Sequence, residues 1–253
     1  MIPREPVAEA EVPGGPPLRL VRHGRDYIIM LERNELMSSR MSGSEAALGS
    51  ITCQRLRDPA QARLLIGGYG MGFTLRAVLA AVGAQAQVVV AELVPGIIDW
   101  ARGPLSHLTA GCLDDPRVDL RIDDVGRQIA AARASFDAIL LDVDNGPDGL
   151  TRAGNDGLYT PRGLRAARDA LRPGGVLAVW SAAPDAAFTR RLGQAGFDVE
   201  ELRVAARENG KGPKHTLWFA TRGLADTRLA GSRRSHLANA NSPVQGLGGG
   251  AKG

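Results

Sequence analysis

Apolar runs of strand length alternate with segments of helical spacing through most of the chain. The runs at 63–66, 87–91, 118–122, 136–141 and 176–180 are rich in Leu, Val, Ile and Ala. Each is followed by a stretch with apolar residues three or four apart, at 74–82, 95–107, 125–133, 161–171 and 186–195. Strands that are apolar on both sides and separated by helices predict a parallel sheet covered on both faces. "FDVEELRVA" and "HTLWFATR" predict two last strands, antiparallel to each other. The fold class is therefore α/β, a doubly wound, Rossmann-like sheet of about seven strands. Upstream, "LRLVRHGRDYIIMLERNELMSS" predicts a small N-terminal β-hairpin unit, and "SEAALGSITCQRL" a helix that Ser44 can cap.

The two ends lack this pattern. Residues 1–17 are rich in Pro, Glu and Ala, and 222–253 end in "NSPVQGLGGGAKG". Neither buries enough apolar surface to offset its ordering entropy, so both are expected to be disordered. The chain thus divides into a loose N-terminus (1–17), a hairpin-plus-helix unit (18–58), a nucleotide-binding domain (59–221) and a basic tail (222–253). The net charge of +4 is the tail's own: Arg222, Arg228, Arg233, Arg234 and Lys252 are opposed there by Asp226 alone. The neutral remainder argues against a nucleic-acid surface, which needs clustered cations. Aromatic residues are only 4% of the chain, so the core must be aliphatic. The two cysteines form neither a metal spacing nor a disulfide framework, and the four histidines form no ligand group, so no metal is expected. With no apolar run of membrane length and no apolar leader, a cytoplasmic location is expected.

Candidate chemistry collects at the predicted strand ends. In "LLIGGYGMGFTLRAVLA", Gly68, Gly70 and Gly72 stand where the first strand of the domain turns into its helix. Glycine permits backbone angles that side chains forbid and lets a ligand approach the backbone, as in nucleotide cradles. The Gly-Lys-Ser/Thr ending of a phosphate-binding loop is missing, which argues against ATP hydrolysis. Glu92 ends the second strand and can accept hydrogen bonds from both hydroxyls of a ribose. Asp123 and Asp124 follow the third strand, where a carboxylate can take an adenine amino proton or cap the next helix. Asp142 ends the fourth strand, with Asp144 two residues on, at the edge where ligands of such sheets sit. These two are the candidate catalytic residues, placed to position an acceptor or take its proton. Trp100, Trp180 and Trp218 read as packing residues, and His215 as a solvated strand start.

Together these residues resemble the spermidine synthase family, within the class I S-adenosylmethionine-dependent methyltransferase fold, from about Asp26 to Arg222. The family's GGGDGG-Leu-Arg motif falls on Gly68, Tyr69, Gly70, Met71, Gly72 and Phe73, ahead of Leu75-Arg76. Pro116–Asp124 resembles its adenine-side segment, and "LYTPRGLRAARDALRPGGVL" its helix-to-strand run. The resemblance implies that S-adenosylmethionine or its decarboxylated form is held by Gly68, Gly70, Gly72, Glu92, Asp123 and Asp124. It also implies a small acceptor, such as an amine, touched by Glu45. Tyr159 closes the loop that shapes substrate choice and is the second substrate-binding candidate. The family commonly pairs into dimers, for which the N-terminal strands are available. Two departures stand out. Met71 replaces a carboxylate that helps hold the cationic aminopropyl arm of decarboxylated S-adenosylmethionine, and the second acid of the catalytic loop is displaced to Asp144. These departures direct the reading to methyl transfer from S-adenosylmethionine. Aminopropyl transfer to a diamine is the alternative, and a non-catalytic nucleoside-binding protein the further one.

Overall fold

In the computed structural model, residues 3–143 and 156–224 are described. Met1–Gly223 cluster as one unit; Leu224–Gly253 form a second, of which only Leu224 is described. The first unit begins with a four-stranded antiparallel sheet in the order β1-β2-β3-β4: Glu5–Ala10, Leu18–His23, Asp26–Leu31 and Asn34–Ser38. It is larger than the expected hairpin unit. Residues 5–10, expected to be loose, pair with β2. Their sequence hides this because only Ala10 of the strand is buried, which leaves no alternation to read.

Helix α1 (Gly43–Gln54) leads into a seven-stranded sheet. The chain then runs through β5 (Arg63–Gly67), α2 (Phe73–Ala81), β6 (Gln87–Glu92), α3 (Pro95–Arg102) and α4 (Ser106–Thr109). It continues with β7 (Val118–Ile122), α5 (Val125–Ala131), β8 (Phe136–Leu141), α6 (Asp156–Tyr159) and α7 (Pro161–Ala170). Last come β9 (Leu171–Ser181), α8 (Ala186–Gln194), β10 (Phe197–Ala205) and β11 (Lys214–Arg222). The spatial order is β10-β11-β9-β8-β5-β6-β7, with β5 to β9 parallel and β11 antiparallel to both its neighbours. Arg222, assigned to the tail from sequence, ends β11, and its guanidinium donates to the carbonyls of Arg168 and Leu171.

Alternate residues of each strand serve opposite faces, as a pleated strand requires. Leu64, Ile66, Val88, Val90, Ala138 and Leu140 pack under α1, α2 and α3, where Leu18, Leu20 and Ile29 of the N-terminal sheet join the same cluster. Leu65, Val89, Ile139, Leu141, Leu177 and Val179 pack under α5, α7 and α8. The chain leaves β5 toward β6 and β7 on one side, and reaches β8 and β9 on the other. The carboxyl ends of β5 and β8 therefore flank a topological switch point, the place where open α/β sheets bind ligands. Among the described residues no helix is long and apolar enough to cross a membrane.

Candidate active site

The carboxyl ends of the parallel strands form the floor of a cleft. Gly68, Gly70, Glu92, Asp123, Asp124 and Asp142 all line it, together with Glu45 from the first turn of α1. Its opposite wall is apolar and comes from the N-terminal sheet, chiefly Leu18, Ile29, Leu31 and Met37.

The cradle loop is tight for reasons internal to the fold. Gly68 has φ +83°, and a Cβ there would sit 2.5 Å from the Asp142 carbonyl oxygen. Gly70 has φ +54°, and a Cβ there would meet Met37 Cε at 2.7 Å. A side chain at Gly68 would push β5 from β8, whereas at Gly70 the positive φ is the constraint and the Met37 side chain would have to move aside. Gly72 N-caps α2 and does not line the cleft. Met71 is fully buried in the core cluster, away from the cleft.

Glu92 is 4% exposed. Its Oε2 accepts from the Tyr69 amide and its Oε1 from the Val94 amide, each at 2.8 Å. One carboxylate thus ties the cradle loop to the loop after β6. Burial pushes its acidity toward the protonated form, and the backbone amides oppose that push. Asp124 is the N-cap of α5, its Oδ1 accepting from the Arg127 amide at 3.1 Å. Asp123 accepts from Gln128 Nε2 at 2.5 Å and pairs with Arg127 at 3.5 Å. Its carboxyl lies below the ordinary range, chiefly through the Gln128 hydrogen bond.

Asp142 is held differently. Its Oδ2 accepts from Thr74 Oγ1, in the first turn of α2, at 2.7 Å. Burial raises its pKa to about 6, against that hydrogen bond. Glu45 is 5% exposed, and its pKa is pushed up to about 8 by burial and by the neighbouring Asp142 charge. With one group raised to about 6 and the other to about 8, the pair holds one proton near neutral pH, because ionising both places like charges in a poorly solvated site.

Several expectations are corrected. Tyr159 is buried on the other face of the sheet, edge-on to Phe188 with ring centroids 5.6 Å apart, and does not line the cleft. Ser44 does not cap α1; Ser42 holds the N-cap position, and the Ser44 hydroxyl lies between Glu45 Oε2 and His215 Nδ1. His215 is not a solvated strand start but 8% exposed. Trp180 lines the cleft as well as packing the core, and its Nε1 donates to Ser44. Asp144 lies outside the described residues. Thr74 went unnoticed from sequence, although a hydroxyl just past a glycine cradle is a readable signal. Among the described residues no group of His, Cys, Asp and Glu is arranged to hold a metal ion.

Comparison with known proteins agrees with this architecture. The spermine/spermidine synthase domain model matches residues 54–187. A polyamine aminopropyltransferase of Mycobacterium tuberculosis is 36% identical over 164 residues, covering 61% of this chain and 30% of the relative. One from Nitrosomonas europaea is 38% identical over 127 residues, covering 50% and 37%. The chain thus spans less than half the length of these curated relatives. The crystal structure of spermidine synthase from Thermotoga maritima superposes with a TM-score of 0.70 at 19% identity, covering 88% of this chain and 75% of that one. A probable spermidine synthase from Corynebacterium glutamicum superposes at 0.59 and 14% identity, covering 98% and 99%. At such identities the structures speak for the fold, while the domain model covers more than half of the sequence. The chain belongs to the spermine/spermidine synthase family.

Proposed function

We propose that this chain transfers an aminopropyl group from decarboxylated S-adenosylmethionine to a small amine. The observation that carries this reading is the carboxyl pair Glu45–Asp142, set at the switch point in the same cleft as the cradle and Glu92. An amine acceptor needs an anionic group beside it to hold its cationic form and to take its proton. The curated relatives carry the name polyamine aminopropyltransferase, which favours this reading over the methyl transfer expected from Met71. Because Met71 is buried away from the cleft, the donor's own ammonium would be met by Asp142 instead.

The residues present fit an adenosyl group. Glu92 offers two oxygens to a ribose, Asp124 caps its helix through one oxygen and keeps the other for an adenine amino group, and Val94 and Ile97 offer apolar surface. The sulfonium activates the carbon that is transferred. The amine nitrogen bonds to that carbon as the carbon–sulfur bond breaks, the electron pair staying on sulfur as a neutral thioether. The nitrogen then carries one positive charge and loses a proton to the carboxyl pair. The protein's share is alignment and the stabilisation of that charge.

Calorimetry with S-adenosylmethionine and its decarboxylated form, followed by assays for the nucleoside thioether with putrescine and other amines, tests the reading. Preference for the decarboxylated donor and thioether release are expected. Preference for intact S-adenosylmethionine with no aminopropyl product would overturn it.

A further inference from the structure

Ser44, Trp180 and His215 meet next to Glu45, and the proposed chemistry has so far given Ser44 and His215 no task. Ser44 Oγ lies 2.7 Å from Glu45 Oε2 and 2.8 Å from His215 Nδ1, and accepts from Trp180 Nε1 at 2.9 Å. All four residues are less than 9% exposed. Resting on the aminopropyl-transfer reading, we propose that Ser44 and His215 form a proton relay that draws a proton from Glu45 as the carboxyl pair takes one from the acceptor amine.

The argument is a count of protons. A serine hydroxyl has one hydrogen to give and two lone pairs to offer. Trp180 can only donate, so it occupies one lone pair. One hydrogen and one lone pair remain for Glu45 and His215. Two arrangements satisfy both neighbours. In the first, a protonated Glu45 donates to Ser44 and Ser44 donates to Nδ1. In the second, Nδ1–H donates to Ser44 and Ser44 donates to the Glu45 carboxylate. With an ionised Glu45 and a bare Nδ1, two acceptors would compete for one hydrogen and leave a buried lone pair facing another. Moving from the first arrangement to the second carries one proton from Glu45 to His215 without displacing a heavy atom.

The surroundings select the first arrangement at rest. Burial and then the Asp142 charge disfavour an anion at Glu45, and together they outweigh the hydrogen bond that Ser44 can donate to one. Burial disfavours an imidazolium at His215. The imidazole ring lies edge-on to Trp180, with centroids 4.7 Å apart, which fixes the side chain. Around it, β10 pairs Val204 with His215, and β9 contributes Trp180 and Ser181. The nearby charged groups are Lys214 on the same strand, Arg203 of β10, whose guanidinium donates to the Lys214 carbonyl, and the Glu45–Asp142 pair.

The step balances. As the amine nitrogen bonds to the transferred carbon, its N–H bond breaks toward Asp142, the ionised member of the pair. The proton already on Glu45 passes to Ser44 Oγ, and the hydrogen of Ser44 passes to Nδ1. Three bonds to hydrogen break and three form. One unit of positive charge moves from the ammonium to the imidazole. Ser44 and His215 are positioning residues here, since both act through Glu45.

The test has two arms on the full chain. In the first, imidazole nitrogen NMR of the ¹⁵N-labelled protein, without donor, reads which ring nitrogen of His215 carries hydrogen, the signal being assigned by its loss in His215→Asn. Hydrogen on Nε2 in the neutral ring, with the preference weakened in Ser44→Ala, is expected. Hydrogen on Nδ1 at rest overturns the proposal. In the second, His215→Asn keeps an oxygen that can accept from Ser44 but cannot take up a proton, so a purely structural network would survive it. The relay requires kcat to fall roughly tenfold or more, as loss of a proton acceptor does. The amine KM should stay within about twofold. The fall in rate toward acid pH should also become shallower, leaving only the limb set by Asp142. Wild-type turnover with an unchanged pH profile overturns the relay. If no amine is turned over at all, the aminopropyl reading fails, while the NMR arm still decides the proton arrangement.

Discussion

Glu92 and Asp142 stand at the carboxyl ends of two parallel strands and line one cleft, yet they are built for opposite tasks. Glu92 is clamped by two backbone amides that no rotamer change can move. Asp142 is held by a single threonine hydroxyl and faces a second carboxyl group. A carboxyl group with both oxygens locked by amides is fixed in place and suits a neutral diol. A carboxylate with one hydrogen bond and a like-charged neighbour is poised to gain and lose protons. The same residue class, at equivalent ends of two parallel strands, thus divides into holding and reacting by what surrounds it.

The largest effect should come from breaking the clamp. Glu92→Ala leaves two buried amides without an acceptor, costing about 2 kcal/mol or more of stability. Donor affinity measured by calorimetry should fall beyond detection. Retained binding would remove Glu92 from the site. Next, Asp142→Asn should lower kcat roughly 100-fold, the scale of a lost general base. Donor affinity should fall far less than in Glu92→Ala, because the clamp is intact and only the contact to the donor's ammonium is lost. Steady-state kinetics beside calorimetry separates the two, and wild-type turnover would show that the reacting end lies elsewhere.

A third, smaller effect concerns stability. Glu45 is raised in the folded state to about 8, whereas an unfolded glutamate titrates near its ordinary value of about 4.3. Folded protein therefore holds a proton that unfolded protein has lost, and stability falls as pH rises between those values. Glu45→Gln carries no such charge, so denaturant midpoints from pH 5 to 8 should decline less in the variant than in the wild type. Parallel curves would mean that Glu45 is ionised throughout. The smallest effect belongs to Thr74→Val. Losing the hydroxyl removes the hydrogen bond that favours the Asp142 anion, so the acid limb of kcat should move to higher pH. Turnover near neutrality should fall only about two- to fivefold, the worth of one hydrogen bond. An unmoved limb would assign it to another group.

The parallel sheet was legible because its strands are buried on both faces and read as unbroken apolar runs, as at 136–141 and 63–66. Their carboxyl ends could be named from sequence for the same reason: a strand that stops at Glu92 or Asp142 presents that residue at the ligand edge. β1 was hidden because it is an edge strand with little burial. The expected helix at 95–107 was read as continuous, yet it breaks after Arg102 at Gly103-Pro104, where proline removes a donor and obstructs the preceding turn. Tyr159 was placed by its position at the end of a loop, but packing against Phe188 decided its face.

The order of apolar and polar residues by itself determined the fold class, the strand ends and the glycine turn, because each follows from local geometry and periodicity. Only the tertiary structure decided which carboxylates would be clamped and which would face each other. Ser44 and His215 are 171 residues apart, and Thr74 and Asp142 are 68 apart. No local rule links such positions. They meet because α1 and α2 pack on the same face of the sheet, and acidity in a dry cleft depends on neighbours in space rather than in sequence.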